Sequence, residues 1–449
     1  MNSRILTAMA VLVFCVKFSI AQEVETPMIP EVVDTLNGKI ENAKSDIDLL
    51  KRIKVTGYMQ AQWQLADTIG AITTYSGGNF PKYSDNRFAI RRGRIKFTYD
   101  NEFSQYVLQL DATEKGVGIK DAYVAVKEPW FQFVTLTTGV FNRPFGYEIT
   151  YSSSVRETPE RARIFQVLFP GERDLGSMIT LQPKKGSRFE WIKLDAGLFS
   201  GNGINGEFDK HKDFIGHLGV AKSNKAETFK IGLGLSYYNG GVFQGTKKVY
   251  SLASVVDDTL TNAMINGFKV DSTAGNKYEF AKRSYFGVDF QASYFSAIGI
   301  SSVRAEYIVG KQPGGSSSNT SISSSTAPDY DTYLRNVSGG YIYLIQNIGQ
   351  SKHQLVLKYD WMDPNTKVAG TDIKTKTAAG KSTGLSNADI KYTTLGLGWN
   401  YKFNSQVKFS AYYEMVKNEK TGIKGTNSTN DYTKDLKDNV LTLRVQYRF

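Results

Sequence analysis

A two-residue alternation of apolar and polar side chains runs through most of this chain. It starts in "IKVTGYMQAQWQL", residues 53–65, where Val55, Met59 and Trp63 share one face and lysine, threonine and glutamine occupy the other. Successive side chains of a β-strand point to opposite faces, so the alternation predicts strands with one apolar and one polar face. We count sixteen such segments, beginning near residues 53, 88, 104, 118, 131, 175, 189, 213, 228, 281, 298, 335, 351, 390, 405 and 437.

The joins between these segments alternate between short and long. The short joins lie near residues 100–103, 127–130, 184–187, 296–299, 347–350 and 403–406. The long joins include residues 66–86, 142–174, 240–280, 312–334, 363–389 and 419–436. Bacterial membrane barrels have tight periplasmic turns and extended extracellular loops. The sequence therefore predicts an all-β fold, a 16-stranded antiparallel transmembrane β-barrel over residues 53–449, with short periplasmic turns and long extracellular loops.

The N-terminus predicts export. Residues 1–21 carry Arg4, an apolar run and a small-residue end at Ala21, which is typical of a cleaved signal peptide; a short membrane anchor is the alternative. The single cysteine, Cys15, lies inside this segment, so the mature chain is expected to have no disulfide and no cysteine-based metal site. We expect a location in the bacterial outer membrane.

Residues 22–52 are predicted to form a short periplasmic helical segment. Apolar residues recur there at spacings of three and four, namely Val33, Leu36, Ile40, Ala43, Ile47 and Leu50. Three heptads are the minimum for a coiled coil. A helix packed against its own barrel is the other interpretation.

The second segment, "NRFAIRRGRIKFTYD", combines strand-forming residues with four cations. Its apolar side chains are expected to face lipid. Arg92, Arg94 and Lys96 have the opposite parity and are expected to stand hydrated in a water-filled lumen. Ordinary polar filling of a wet wall is the alternative. Arg91 has lipid-facing parity and is expected to reach up to the headgroups.

Residues 87–183 resemble the phosphate-selective porin family of the O and P type. The resemblance rests on "RFAIRRGRIKF", "QYVLQLDA", "IKDAYVAVK", "TTGVFNRPFGYE", "SSSVRETPERA" and "GERDLGSMI", followed by "AGLFSGNGIN" at 196–205. It implies a trimeric outer-membrane channel in which lumenal arginines lead to a constriction formed by the third loop. The ending "VLTLRVQYRF", with Tyr447 and the terminal Phe449, resembles the signal read by the barrel-assembly machinery.

The predicted third loop, residues 142–174, is rich in charge of both signs. Guanidinium groups suit oxyanions because their donors are forked and permanently charged. We expect the acidic residues to hold the loop against the wall while some arginines face the channel; a purely structural salt-bridge network is the alternative. The candidate cations are Arg143, Arg156, Arg161, Arg163 and Arg173, and the acidic partners are Glu148, Glu157, Glu160, Glu172 and Asp174.

Parity places further charges in the lumen. The additional cations are Lys193, Arg304, Lys358 and Arg444, and the carboxylates are Asp111, Asp121, Asp195, Asp289, Glu306 and Asp360. The net charge of +12 agrees with steering of anions. The predicted function is a water-filled, anion-selective porin for phosphate or similar small oxyanions, with membrane lipid and the assembly machinery as partners.

Other functions are less compatible with the pattern. The three histidines belong to no parity-consistent catalytic set, so no enzyme activity, cofactor, metal site or nucleic-acid partner is expected. A fatty-acid-type transporter for hydrophobic substrates would need an apolar lumen. A structural or adhesive barrel would have no use for dense interior charge.

Overall fold

The computed structural model describes residues 29–427 and 429–449. The chain divides into two units at Ile53–Lys54, and each is described by itself. The described part of the first unit contains one long helix, α1 (Ile29–Lys51). No helix within the described ranges is long and apolar enough to cross a membrane. The predicted signal peptide, residues 1–21, and its Cys15 lie outside the described residues.

The second unit is a closed β-barrel, because sixteen of its strands pair in a ring. β1–β9 pair in sequence, β9 pairs with β12, β12–β18 pair in sequence, and β18 returns to β1. All sixteen predicted segments start within three residues of a barrel strand, so the predicted 16-stranded barrel is confirmed. The strands are β1 (Ile53–Ala66), β2 (Asn86–Asn101), β3 (Ser104–Thr113), β4 (Gly116–Lys127), β5 (Val134–Asn142), β6 (Arg173–Leu181), β7 (Ile192–Phe199), β8 (Asp213–Ser223), β9 (Phe229–Phe243), β10 (Val249–Asp258), β11 (Ala263–Asp271), β12 (Phe280–Ser296), β13 (Gly299–Gly314), β14 (Thr332–Asn347), β15 (His353–Asp363), β16 (Tyr392–Lys402), β17 (Val407–Asn418) and β18 (Val440–Arg448).

The two remaining strands, β10 and β11, form a hairpin inside the join that was predicted to be only a long loop. β10 pairs in parallel with the top of β14 at Thr332 and Tyr333. Tyr250 of β10 stacks on Tyr333 with ring centroids 4.3 Å apart. The hairpin alternates like the other strands but rests on β14 and on neighbouring loops instead of entering the ring.

Alternate residues of each barrel strand face opposite sides of the wall. In β2, Ile95, Phe97 and Tyr99 are exposed on the outside, whereas Arg92 and Arg94 are buried on the inside. The outer face therefore carries an apolar band, as predicted, and the inner face carries the charge.

The barrel closes along a polar seam between β1 and β18. Gln60 Nε2 donates to Gln446 Oε1 at 2.7 Å, and Gln64 Nε2 donates to the Thr442 hydroxyl at 2.9 Å. Between them, Arg444 Nε donates to Gln62 Oε1 at 3.0 Å. These side chains are buried on the lumenal face of the seam.

The third loop folds into the barrel. It contains a short helix, α2 (Arg163–Leu168), and its apolar side chains are almost completely buried against aromatic residues of the inner wall. Phe169, for example, lies 6.0 Å from the ring of Tyr238 and 5.7 Å from that of Tyr285. The buried loop residues are Phe145, Ile149, Ala162, Ile164, Phe165, Val167, Leu168 and Phe169.

This packing holds the loop against one side of the barrel interior. Burying one large apolar side chain contributes roughly 1.5–3 kcal/mol before the entropy of ordering the loop is subtracted. The interior next to β9 and β12–β14 is therefore filled with packed apolar side chains. Several inward positions on that side carry tyrosine, isoleucine or valine, and the predicted lumenal carboxylates Asp289 and Glu306 are also buried there.

Candidate functional site

A cavity of about 470 Å³ lies between the third loop and the inner faces of β2–β7. We call it the basic chamber, because five basic residues line it and only two acidic ones, Asp121 and Asp195, do so. The five basic residues are Arg94, Lys96, Arg161, Arg173 and Lys193, all of them predicted site residues. The structure thus brings together cations from the second strand, the third loop and the seventh strand.

The wall cations differ in how strongly they are held. Arg94 Nε donates to Asp111 Oδ2 at 2.9 Å, and its Nη1 donates to the Ser153 hydroxyl of the loop at 3.2 Å. Lys193 lies 2.8 Å from Asp195, and its side chain is 46% exposed. Lys96 is half-buried and forms no salt bridge with any residue in the described part of the chain. Lys96 and Lys193 are therefore the least buried cations of the chamber.

The loop cations converge on Glu172. Arg173 and Lys120 approach its Oε2 at 3.0 and 2.9 Å, and Arg161 pairs with its Oε1. Burial alone would raise the pKa of Glu172, but the three cations outweigh burial and hold that pKa well below its usual range. Burial lowers the pKa of Arg161 to about 10, so it stays protonated at neutral pH.

A second cluster surrounds Glu160 beside the β1–β18 seam. Arg91 Nε lies 2.7 Å from Glu160 Oε1, Arg92 Nη2 lies 3.0 Å from Oε2, and Arg444 Nη2 lies 3.3 Å from Oε1. Burial would raise the pKa of Glu160, but these guanidinium groups keep it well below its usual range. Three cations thus share one carboxylate, and the cluster keeps a positive surplus.

Two expectations for β2 are corrected here. Arg92 is not hydrated, because the third loop covers it and leaves 3% of it exposed; Arg94, expected to be hydrated as well, is 6% exposed. Arg91 does not reach the lipid headgroups but turns inward to Glu160. The contact with a loop carboxylate overrides strand parity at this position.

The other predicted cations lie elsewhere in the barrel. Arg156 donates to the carbonyls of Thr158 and Pro159 at 3.3 and 3.1 Å. Arg163 lies over the ring of Tyr392 at 3.9 Å. The remaining ion pairs are Arg143–Asp174 at 2.9 Å, Arg304–Glu157 at 2.9 Å and Lys358–Asp360 at 2.7 Å. These pairs agree with the alternative that those residues form a purely structural salt-bridge network. The basic chamber therefore remains as the candidate site.

Lys408, Arg283 and Lys120 are among the lumenal cations that sequence reasoning missed. Lys408 shares lumenal parity with Glu414, and Arg283 shares it with Asp289, so extending the parity analysis would have found both. Lys120 could not be found that way. Between Gln109 and Leu110 of β3 the register against β4 shifts past Lys120, and such a bulge lets adjacent residues reach the same side.

No protein-family model and no curated protein sequence matches the chain. Among solved structures, OprB of Pseudomonas putida aligns with a TM-score of 0.55 at 9% identity, covering 90% of this chain and 96% of that one. The outer membrane channel DcaP of Acinetobacter baumannii aligns at 0.48 and 10% identity, covering 88% and 97%. An anion-selective porin from Comamonas acidovorans aligns at 0.46 and 10% identity, covering 88% and 99%. At these identities the likeness to OprB shows a porin-like barrel fold alone, and the two lower scores add nothing to it.

Proposed function

We propose that the protein is an outer-membrane porin forming a water-filled, anion-selective channel for phosphate or similar small oxyanions. The basic chamber carries this proposal, because its lining has five basic residues against two acidic ones. Patches of fixed charge along an aqueous path select ions by sign. Guanidinium and ammonium groups supply both the field and the hydrogen-bond donors that an oxyanion requires.

The third loop has two separable roles in this proposal. Its apolar residues hold it in the lumen, while Arg161 and Arg173 present charge to the chamber. Glu172 neutralises part of that charge and fixes its position. The charges of Arg161 and Arg173 are therefore held in place, and the less buried Lys96 and Lys193 supply further positive charge.

A path for hydrophobic substrates has less support. The apolar side chains between loop and wall, such as Phe145 and Phe165, are at most 1% exposed and therefore fill space instead of lining a passage. The chamber that is open is lined mainly by polar and charged groups. A scaffold or adhesive role leaves the unpaired Lys96 without a function.

We further infer the membrane arrangement and assembly. The short turns face the periplasm and the long loops face outward, as in other barrels with this asymmetry. Val33, Ile40 and Ile47 of α1 are each exposed by 45–49%, and the heptad spacing suits a coiled coil between three copies. Tyr447 and Phe449 remain the proposed assembly signal.

The test replaces the two least buried cations of the chamber, Lys96→Gln with Lys193→Gln. Two charges about 10 Å from a passing ion contribute roughly 0.8 kcal/mol in water, and screening at 0.1 M salt reduces this, so anion preference should fall about two- to fourfold. The matched control is Lys184→Gln with Lys185→Gln, which removes the same charge at an exposed short turn. Reversal potentials of purified protein in planar bilayers give the preference. A chamber variant indistinguishable from the control would contradict the proposal.

A further inference from the structure

A second pocket lies on the outside of the barrel, at the end that carries the long loops. Its volume is about 390 Å³, and it lies between the β10–β11 hairpin and the ends of β12, β13 and β14. Three lysines line it, Lys282, Lys311 and Lys367, and no carboxylate does. Arg335 also lines it but is already paired, with its Nε 2.8 Å from Asp389 Oδ1. None of the three lysines forms an ion pair within residues 29–427 and 429–449.

Strand parity shows that this pocket faces away from the lumen. Lys282 has the parity of Phe286 in β12, and Lys311 has that of Tyr307 in β13. Phe286 and Tyr307 belong to the exposed apolar band, being 49% and 43% exposed. Four residues of strand span about 13 Å, so the lysines stand just above the band. That is the level of lipid headgroups on a membrane barrel.

The lysines are brought together by backbone pairing. Lys311 is opposite Asn336 of β14 and opposite Ser284 of β12, which places Lys282 on a diagonal about 7–8 Å away. Thr366 N donates to the Asn336 carbonyl at 2.9 Å, which brings the adjacent Lys367 to the same place.

The hairpin completes the pocket. Asn266 Nδ2 of β11 donates to the Lys367 carbonyl at 2.8 Å, and Ser251 of β10 adds a hydroxyl to the lining. The β10–β11 hairpin therefore covers the three lysine ammonium groups, which lie directly above the exposed apolar band.

We propose that this pocket binds a phosphate group on the headgroup of a lipid in the leaflet at the long-loop end. Ammonium groups bind phosphate as point charges, and the apolar band below accommodates acyl chains. The proposal rests on the membrane placement proposed above but not on anion conduction. Each lysine near a charged headgroup is worth about fivefold in affinity, so three together are worth about a hundredfold.

The test titrates full-length protein in detergent with diphosphoryl lipid A and counts bound lipid by native mass spectrometry. The triple variant Lys282→Gln, Lys311→Gln and Lys367→Gln should bind about a hundredfold more weakly. The same three positions changed to arginine should retain binding, because charge is kept. The matched control changes three exposed lysines at the same end of the barrel to glutamine, Lys391, Lys417 and Lys420, and should bind like the unaltered protein.

Three results would overturn the assignment. One is equal binding by the triple glutamine variant and the control. Another is displacement of the lipid by millimolar inorganic phosphate, which would mean that free phosphate is the ligand. The third is equal binding of dephosphorylated lipid A, which would mean that the pocket recognises no phosphate group. Bilayer selectivity of the same variant should be unchanged, because these lysines lie outside the lumen, so failure of lipid binding is distinguishable from failure of the channel proposal.

Discussion

Glu160→Gln should release the part of the third loop that lies against the seam. Glu160 is the shared partner of Arg91, Arg92 and Arg444, with nitrogen–oxygen distances of 2.7, 3.0 and 3.3 Å. Removing one partner from a buried ion pair costs about 3–5 kcal/mol, because the remaining charge stays buried and uncompensated. With three guanidinium groups left facing one another, we expect a loss within this range. Since each 1.4 kcal/mol is tenfold, the local opening equilibrium should rise by about 10²- to 4 × 10³-fold.

Hydrogen exchange of the backbone amides in residues 156–162 measures this opening directly. Exchange in the barrel strands should be unaffected, because their ladder is independent of the loop. Glu157→Gln is the matched control. Glu157 pairs with Arg304, and their side chains are more exposed, at 11% and 16%, so its loss should have a smaller effect. Equal protection of residues 156–162 in the Glu160 variant and the unaltered protein would refute the reasoning.

The pH dependence of the same exchange gives an independent check. The guanidinium groups outweigh burial and hold the pKa of Glu160 below the ordinary value of about 4.3. A carboxyl whose pKa is lower in the folded state stabilises above the unfolded value, and this contribution disappears only as pH falls through the folded value. The loop of the unaltered protein should therefore stay protected at pH 5. Loss of protection between pH 7 and pH 5 would contradict this assignment.

Two further predictions concern the cavity lined by Asp438 and the assembly. Burial raises the pKa of Asp438 to about 7, and Asp438 lines a cavity with Arg163, so protonation below pH 7 removes a negative charge there. Anion preference in bilayers should therefore rise from pH 8 to pH 6. The Asp438→Asn variant should show the higher anion preference at both pH values. If the variant still shows a rise of equal size, Asp438 is not the group that titrates. If α1 forms a coiled coil, Ile40→Cys should give disulfide bonds between two protomers of the same trimer under mild oxidation. Intact trimers without such cross-links would exclude that arrangement.

Much of the barrel could be predicted because alternation is a local property of the sequence. Each strand must present one face to an apolar environment, so apolar and polar residues alternate from its first residues onward. The start of a strand can therefore be located from a few residues, as at Ile53 and Ser104. The β10–β11 hairpin shows the limit of this reasoning. Alternation identifies a strand but does not tell whether the strand joins the ring, which depends on pairing with residues far away in sequence.

The candidate site was predictable only in part, because a loop has no regular alternation of apolar and polar residues. Residues 163–169 are mostly apolar within a charged loop, and only the structure shows that they pack on the inner wall. Pro159 and Glu160 of the same loop contact Arg92 and leave it buried, although parity alone had left it hydrated. At the basic chamber, Lys96 and Lys193 remain less buried than the paired arginines.

The polar seam also bears on how the chain folds. Gln60 and Gln446 are 386 residues apart, so their pairing joins nearly the full length of the barrel chain. Until this contact forms, β1 and β18 are two unprotected edges, each able to pair with another chain. A slip of one residue would turn every side chain of β18 to the wrong face, and a row of matched amides and hydroxyls disfavours that slip more specifically than apolar contacts would. The seam thus fixes the register of a pairing between residues very distant in sequence, the kind of contact that forms slowly.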